Sequence, residues 1–554
     1  MPTPAEAGSR RAGDGNQAVL AYVVGALVIV AAVALALLRV QAANLPWHLA
    51  TARLAQETGH WPVRNTFSYT FPDYPVYQQY PAFQATMWAI LRAAGWGGLS
   101  VATCVGWVTA FLLVIAYAGG LRQSARFHVL WILALAALQR RMMLRPDMFT
   151  MIAFGAELLA LDAFARGRTR ALVFVPLVHL LWANSHQLFP LSLLLQALMF
   201  ADLARQRDWR RVKLLSLALA ASVLLSFATP LGWKIVLAPF RTAQSLALFR
   251  ANVDEFRHVW QTPYELTLAL ATGVPAAWVI WRTRRLTPVF EVGLWLLSLA
   301  MLLSAVRGLM FFGPVSVALF QRGVLRARAA GETLMLPVSA GGGRILRALG
   351  LAFTAMLAGA AVYYRWVNPP LALAGTQPGF GRSIGGWAES ATDFIRRAPP
   401  PGHMMNLGAP LGDAVIFWVP GVPVFVDSRL ETYPVAFLQA VMAADNSDAA
   451  LRALLDRHDV QWVLADHIRP HRRDRVCGLA AAGWQPVYAD TATIILVRPG
   501  PATEDYRRRH AIDVTRIEPS DLVTAPAALR EQQLANFRAL LAALGAPSTP
   551  GRER

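Results

Sequence analysis

Long apolar runs recur through the first two thirds of this chain, and they restrict its fold more than any other feature. The first extends from Ala18 to Leu38 and the last from Ile345 to Tyr364. A helix needs about 20 apolar residues to cross a bilayer, and the first run is too long for the core of a cleaved signal peptide. Counting the runs predicts an α-helical integral membrane protein with about 11 transmembrane helices.

The arginines indicate how these helices are oriented. The formal net charge of +19 would suggest a nucleic-acid partner in a soluble protein. Here the arginines cluster in short loops between apolar runs, and loops rich in arginine lie on the cytoplasmic side of a membrane. We therefore expect a cytoplasmic N-terminus and no nucleic-acid partner. An odd number of helices places everything after Trp366 on the outer side.

One polar segment, from Asn44 to Gln84, follows the first apolar run and is rich in aromatic residues and prolines. It cannot lie in hydrocarbon, where unpaired backbone groups are costly, so it must lie on one face of the membrane. The arginine pattern places it outside. We expect much of any chemistry to involve this segment.

Three arginines depart from the charge pattern, because Arg140, Arg141 and Arg145 occupy a turn on the outer side. Guanidinium groups match phosphate oxygens with forked, charge-assisted hydrogen bonds. At a membrane surface this pattern favours a lipid phosphate or pyrophosphate as the ligand. Pairing with Asp147, or with lipid headgroups in general, explains the same residues.

Other polar residues lie at or within the predicted helices. Asn184 and His186 follow the fifth helix and could line a substrate cleft, although helix capping and interfacial anchoring explain them equally. Glu157 is a carboxyl about midway along the fourth helix, and an ionisable group inside a membrane is a candidate site by default. Asp162, one turn on, has a solvated or paired role as its alternative.

The composition changes to that of a soluble domain from about Gln377. The segments HMMNL, VPVFVDSR and VQWVLAD have the pattern of buried strands, WQPVYADTATIILVRP that of a hairpin, and helical segments lie between them. This alternation predicts a small α/β extra-membrane domain with a partly parallel sheet. Asp427, Arg429 and Asp466 follow strand ends, where open sheets place ligands, but Asp427 and Arg429 could equally form an internal ion pair.

The predicted organisation has four parts. They are a cytoplasmic tail at 1–17, a transmembrane domain at 18–366 with an external loop at 41–84, a periplasmic α/β domain at 367–500, and a helical or flexible tail at 501–554. Two cysteines, Cys104 and Cys477, provide no disulfide framework. No His, Cys and carboxylate cluster has the spacing of a metal site, and no glycine-rich loop supports nucleotide binding, so no cofactor is identified.

Several motifs together resemble a known superfamily. In order, they are WHLATARLAQETGHWPVRNTFSYTF, GWGGL, RPDMFT, WANSHQ, TPLGW, GPVSVALF and VPVFVDSRLETYP. This succession resembles bacterial multi-span membrane proteins of the GT-C-like glycosyltransferase superfamily, which use polyprenyl-phosphate sugars. The resemblance covers most of residues 18 to 500 and implies a GT-C-like core.

The resemblance implies transfer of a sugar from a polyprenyl-phosphate donor to an envelope acceptor on the outer face of the bacterial inner membrane. Membrane lipid, lipid-linked sugar and envelope-assembly proteins are then the expected partners. Cationic groups would stabilise the departing lipid phosphate, and a carboxylate would act on the acceptor. The resemblance assigns the phosphate to Arg140, Arg141 and Arg145, and a cleft wall to Trp47 and His48.

The acids expected from the resemblance are amides here. Asn44 and Gln79 stand where relatives carry acids, and an amide can hold a sugar but cannot accept a proton at neutral pH. Asp73 and Glu57 are the carboxylates left in the loop and become the candidate catalytic residues. Each has a structural alternative, a turn for Asp73 and an exposed helix face for Glu57.

Two other functional hypotheses follow from the same residues. The missing acids favour a catalytically inactive relative that binds lipid-linked glycan or assists a partner enzyme. A transporter is less favoured, because the sequence shows no clear internal repeat and no matching pair of glycine-broken helices. Asp147, Asp254 and Glu255 are further carboxylates in outer loops that could serve an active enzyme.

Overall fold

The computed structural model describes residues 22–41, 44–77, 79–238, 240, 250, 253–332, 334, 340–367, 377–383, 388–517 and 527–545. The predicted tail at 1–17 and parts of the predicted tail at 501–554 lie outside these residues. The chain divides into two compact units. Unit 1 contains the described residues of Met1–Val40, Ala93–Pro369 and Gln377–Gly381, and unit 2 those of Gln41–Arg92 and Arg382–Arg554. The predicted domain boundaries themselves stay predictions.

Helices make up most of the described chain. Omitting single turns, they are α1 (Tyr22–Ala36), α2 (Leu45–Thr58), α3 (Pro81–Tyr117), α4 (His128–Leu138), α5 (Asp147–Ala165), α6 (Phe174–Ala183), α7 (Pro190–Arg205), α8 (Trp209–Ser226), α9 (Pro263–Arg282), α10 (Val289–Ser304), α11 (Leu309–Ala329), α12 (Ala340–Val362), α13 (Glu389–Arg397), α14 (Ala409–Trp418), α15 (Val435–Ala444), α16 (Asp448–Arg457), α17 (Pro470–Ala481), α18 (Glu504–His510) and α19 (Ala527–Gly545).

Three helical segments among the described residues are long and apolar enough to cross a membrane, judged by length and composition. They are Pro81–Tyr117, Asp147–Ala165 and Val306–Ala329. The first is kinked at Gly95, whose φ of 62° lies in the region that favours glycine. The predicted number of about 11 transmembrane helices is not confirmed by these segments and stays a prediction.

Small residues bring the helices of unit 1 close together. A Cβ atom on Gly155 in α5 would lie 2.7 Å from the side chain of Leu113 in α3, and one on Gly273 in α9 would lie 2.5 Å from Phe312 in α11. In a membrane, helices associate through such close packing, because lipid tails are as apolar as the side chains they would replace. These contacts bring α3 close to α5, and α9 close to α11.

Unit 2 contains a four-stranded sheet in the order β1 (His403–Leu407), β2 (Val460–Asp466), β4 (Thr493–Val497), β3 (Gln485–Ala489). The first pair is parallel, and the other two pairs are antiparallel. The predicted strands HMMNL and VQWVLAD and the predicted hairpin are therefore confirmed. The expectation of a small α/β domain with a partly parallel sheet holds for the described residues.

The predicted strand VPVFVDSR is wrong, because this segment joins no ladder of the sheet. Its backbone pairs instead with the polar segment after α2: the Val424 N–H donates to the Phe67 carbonyl at 2.9 Å, and Val424 forms an isolated bridge with Ser68. The side chain of Asn406 holds the Val426 carbonyl at 2.8 Å. Apolar patterning showed that these residues are buried, but it could not identify their backbone partner.

Candidate functional site

The three anomalous arginines lie around a single helical turn, Gln139–Arg141, between α4 and α5. The structure separates them. Arg140 pairs with Glu265 in the first turn of α9 and remains largely exposed. Arg141 is buried and pairs with both Asp147 and Glu255. Arg145 donates to Glu255 at 2.9 Å, so only Arg141 and Arg145 share a partner.

His186 belongs to the same group. Its Nε2 lies 3.6 Å from Asp147 Oδ1, and its Nδ1 lies 2.8 Å from the Thr150 hydroxyl. The indole N–H of Trp182 donates to that hydroxyl at 3.1 Å. We call Arg141, Arg145, Asp147, His186 and Glu255 the arginine cluster. It joins the start of α5, the turn before α7 and the loop before α9, all within unit 1.

The cluster has hydrogen-bonding capacity left over. The Nε atoms of Arg141 and Arg145 are buried and have no hydrogen-bond partner among the described residues. Arg307, whose guanidinium lies 4.2 Å from the centre of the Phe256 ring, interacts electrostatically with both Asp147 and Glu255. Two carboxylates thus face three arginines, which leaves the region positive and short of acceptor atoms.

Glu255 is the more accessible carboxylate of the cluster, with a side chain that is 29% exposed against 6% for Asp147. Burial alone would raise the pKa of the Glu255 carboxyl, but the charges of Arg141 and Arg145 outweigh burial and lower that pKa. Glu255 is therefore ionised at neutral pH. It can accept a hydrogen bond from a ligand hydroxyl, although a lowered pKa makes it a weak base.

Asn184, the other residue predicted in this turn, has a different environment. Its side-chain amide donates to the carbonyls of Leu180 and Ala228, at 3.0 Å each. These bonds satisfy carbonyls at the ends of α6 and α8. The structure brings His186 into the arginine cluster and gives Asn184 a bonding pattern typical of helix termini.

The cleft-wall residues predicted in the polar segment lie together in unit 2. The rings of Trp47 and His48 stack with centroids 3.6 Å apart, and both meet the ring of Tyr80 edge-on. Gln84 Nε2 lies 3.1 Å from His48 Nδ1. Asn44 Oδ1, Trp47 Nε1 and Gln79 Oε1 are also buried, and none of these atoms has a hydrogen-bond partner among the described residues.

The two candidate catalytic acids are on the surface of unit 2. Asp73 accepts a hydrogen bond from Arg64 at 2.7 Å, and both side chains are more than half exposed. Glu57 is exposed near the end of α2 and forms no ion pair among the described residues. Among the described residues, no hydrogen bond or ion pair joins either carboxylate to Trp47 or His48.

A second buried charged group occupies the interior of unit 2. Arg429 donates to Asp427 from Nε at 2.9 Å and from Nη2 at 2.6 Å, and Nη2 also reaches Asn65 Oδ1 at 2.8 Å. The Tyr433 hydroxyl donates to Asp427 at 2.8 Å. We call these four residues, with Asp413, the Arg429 cluster. Burial and the charge of Asp427 raise the pKa of Asp413 well above its usual range.

Sequence reasoning missed several residues of these groups. Arg307 carries the signal that identified the other arginines, a positive charge between two runs on the predicted outer side, and the same criterion would have found it. Thr150 and Asn65 carry no such signal. They are common residues in apolar or turn contexts, and only the folded chain shows what they contact.

No protein-family model matches the sequence, and no curated protein matches it. Among solved structures, the archaeal oligosaccharyltransferase AglB from Archaeoglobus fulgidus, in complex with an inhibitory peptide and a dolichol-phosphate, is 13% identical, covers 86% of this chain and 74% of its own, and has a TM-score of 0.56. The Archaeoglobus fulgidus oligosaccharyltransferase in complex with Zn and sulfate is 13% identical, covers 86% of this chain and 73% of its own, and has a TM-score of 0.53. ArnT from Cupriavidus metallidurans bound to undecaprenyl phosphate is 13% identical, covers 88% of this chain and 98% of its own, and has a TM-score of 0.47.

Proposed function

The chain has a GT-C-like fold, and on that premise we propose that it is a membrane-embedded glycosyltransferase-like protein whose donor is a sugar on a polyprenyl phosphate. The observation that carries the proposal is the pair of buried Nε–H groups on Arg141 and Arg145 that have no acceptor among the described residues. A buried donor without an acceptor costs roughly 1–3 kcal/mol. A phosphate group supplies oxygens that guanidinium groups bind well.

The surrounding charges support an anionic ligand. Asp147 and Glu255 hold the two arginines in position, and Arg307 adds a further positive charge to the same region. During transfer, the acceptor forms a bond to the anomeric carbon, and the bond from that carbon to the phosphate oxygen breaks. The lipid phosphate then leaves with an additional negative charge, which Arg141 and Arg145 stabilise.

The acceptor hydroxyl loses a proton during transfer, and we propose that a carboxylate takes it. The chain has two candidates, Asp73 and Glu255. Asp73, the sequence-based candidate, is exposed and paired with Arg64. Glu255 lies within the arginine cluster and is ionised, so in our proposal it orients the acceptor hydroxyl beside the phosphate and takes its proton as the bond to the anomeric carbon forms. Both assignments are parts of the proposal, as are an envelope acceptor, transfer on the outer face and a bacterial inner-membrane location.

A fold neighbour supports the class of ligand. The archaeal oligosaccharyltransferase with a TM-score of 0.56 was solved in complex with a dolichol-phosphate, which is a polyprenyl phosphate in the broad sense. We extend this ligand class to the present protein together with membrane lipid and lipid-linked sugar as partners. Partner proteins of envelope assembly remain a proposal made from the sequence.

Binding of the lipid phosphate is the first test. Arg141→Gln and Arg145→Gln each remove charge and donors from the cluster, and we expect at least tenfold weaker binding of undecaprenyl phosphate to purified protein. Arg257→Gln is the matched control, because Arg257 is an exposed arginine two residues from Glu255 that pairs with Asp254. Equal affinity in all four proteins would contradict the assignment of the cluster.

A second function, binding without transfer, is favoured by one observation. Each carboxylate of the cluster is paired with arginine, and Asn44 and Gln79 of the polar segment are amides. A non-catalytic protein would bind lipid-linked sugar with the same cluster. Incubation of purified protein with a labelled polyprenyl-phosphate sugar and a hydroxyl acceptor separates the two functions, because release of lipid phosphate coupled to labelled acceptor requires an enzyme.

A further inference from the structure

A groove on unit 2 lies between the end of α2 and the start of α3, and none of its lining residues belongs to the clusters or the candidate acids. It has a volume of about 440 Å³. Alanines from both helices line it, Ala55 on α2 and Ala85 and Ala89 on α3. The indole rings of Trp61 and Trp88 line it as well. The groove is therefore a mainly apolar trough with aromatic sides.

The positions of the two indole rings are fixed by specific contacts. The Trp88 indole N–H donates to Gln56 Oε1 at 2.6 Å, which links the two helices across the groove. Helix α2 ends at Gly59, which has a φ of 76° and caps the helix by donating to the Ala55 carbonyl at 2.9 Å. This turn directs the chain to Trp61 at the edge of the groove.

Charge in the groove comes from one side chain. Of the described residues that line it, Arg92 is the one with a full charge at neutral pH, and it is exposed and forms no ion pair among the described residues. An arginine without a carboxylate beside an apolar trough matches an amphiphile that has an anionic head and an acyl chain. Tryptophan and arginine are also the residues enriched where proteins meet lipid headgroups.

A carbohydrate fits this groove less well. Sugar hydroxyls need several hydrogen-bonding partners. Here Gln56 Oε1 already accepts from Trp88, and Nδ1 of His60, which also lines the groove, lies 3.0 Å from the Thr58 carbonyl. The alanines offer no polar side-chain atom. Helix α3, which carries Ala85, Trp88 and Arg92, is itself the most hydropathic of the three candidate membrane segments. We propose that this groove binds one anionic membrane phospholipid, with its phosphate on Arg92 and an acyl chain along the alanines.

The test measures retained lipid on the full-length protein by native mass spectrometry, in detergent supplemented with equal amounts of phosphatidylglycerol and phosphatidylcholine. The wild type should retain phosphatidylglycerol preferentially. Arg92→Gln should weaken phosphatidylglycerol retention about fivefold and remove the preference. Ala89→Leu should reduce retention of both lipids, because it narrows the trough. Arg508→Gln, an exposed arginine of the same unit paired with Asp505, is the control and should behave as the wild type.

Other outcomes overturn the proposal. One is equal retention of the two lipids by the wild type, and another is an unchanged preference for phosphatidylglycerol in Arg92→Gln. A third is retention of an added soluble oligosaccharide in place of lipid. Arg141→Gln separates this site from the donor site, because it should weaken undecaprenyl phosphate binding and leave phosphatidylglycerol retention unchanged. A loss of phosphatidylglycerol in Arg141→Gln as large as in Arg92→Gln would show that the assay reports the arginine cluster.

Discussion

Arg141 in unit 1 and Arg429 in unit 2 are both buried arginines held by carboxylates, yet their surroundings differ. The partners of Arg429 are sealed, with Asp427 and Asn65 at 0% exposure and Tyr433 at 3%. Around Arg141, the side chains of Glu255 and Arg145 are 29% and 23% exposed. The arginine cluster is therefore partly open to solvent, while the partners of Arg429 are buried.

The difference shows that a buried ion pair does not by itself indicate function. Arg429 links Asp427 to Asn65 and so ties the polar segment after α2 to the C-terminal part of unit 2. Such a pair fixes one arrangement of the chain, and loss of one partner leaves an uncompensated buried charge. We assign Arg429 to the fold, and in our proposal Arg141 belongs to binding.

The largest expected effect is on folding. Arg429→Ala leaves Asp427 buried without its cation, and we expect a loss of roughly 3–5 kcal/mol in the free energy of unfolding. Membrane abundance and thermal unfolding of purified protein measure it. Arg508→Ala, at an exposed helix position, should leave both unchanged. A normally stable Arg429→Ala protein would remove the distinction between the two clusters.

The next effect is stabilisation by ligand. At about 100 times its dissociation constant, undecaprenyl phosphate should stabilise the wild type by roughly 2.7 kcal/mol, because it binds the folded state alone. The double variant Arg141→Gln with Arg145→Gln should show no such rise in melting temperature at the same lipid concentration. If the variant is stabilised as much as the wild type, the lipid binds elsewhere.

A smaller effect concerns pH. Burial and the charge of Asp427 raise the pKa of Asp413, so the folded state holds this proton more tightly than the unfolded chain. The stability that Asp413 contributes is complete below its ordinary pKa of about 4 and is lost as pH rises through the raised pKa. Asp413→Asn should therefore unfold at a melting temperature that varies less with pH, and at high pH it should exceed the wild type. A parallel pH dependence in both proteins would show that folding does not raise the pKa of Asp413.

The smallest effect is expected at the exposed pair. Asp73→Asn breaks the bond to Arg64, and surface ion pairs contribute little, so the melting temperature should stay within measurement error. Any change in sugar transfer by this variant would then reflect chemistry at Asp73. Glu255→Gln tested beside it compares the two candidate carboxylates, and transfer that is lost in Glu255→Gln alone would place the acceptor at the arginine cluster.

Sequence reasoning predicted much of the fold. Strong apolar patterning found the strands β1 and β2 and the β3–β4 hairpin, because each covers a short run whose burial is visible in its composition. The GT-C-like resemblance agrees with the fold of the chain. The strand expected at VPVFVDSR was wrong, since the backbone of Val424 bonds to Phe67 and Tyr69, more than 300 positions away in the sequence, and to no strand of the sheet.

The candidate site was predicted in part. Arg141, Arg145 and His186 meet in one cluster, which the sequence analysis had not predicted for His186, while Arg140 pairs separately with Glu265. A helical turn points neighbouring side chains in different directions, so adjacency in sequence did not imply a shared ligand. Glu255 was one of several carboxylates predicted in outer loops. Its contacts with Arg141 and Arg145 are the reason for the role that we propose for it.

By itself the sequence determined the class of structure, because the length and spacing of apolar runs depend on local composition and on the thickness of a bilayer. It also located the arginines that break the charge pattern, since a positive charge at an unfavoured position is visible without coordinates. The tertiary structure alone decided which of those charges are neutralised, which donors remain unpaired and which acids face solvent. These properties depend on contacts between residues distant in the chain, and burial turns such contacts into large free energies.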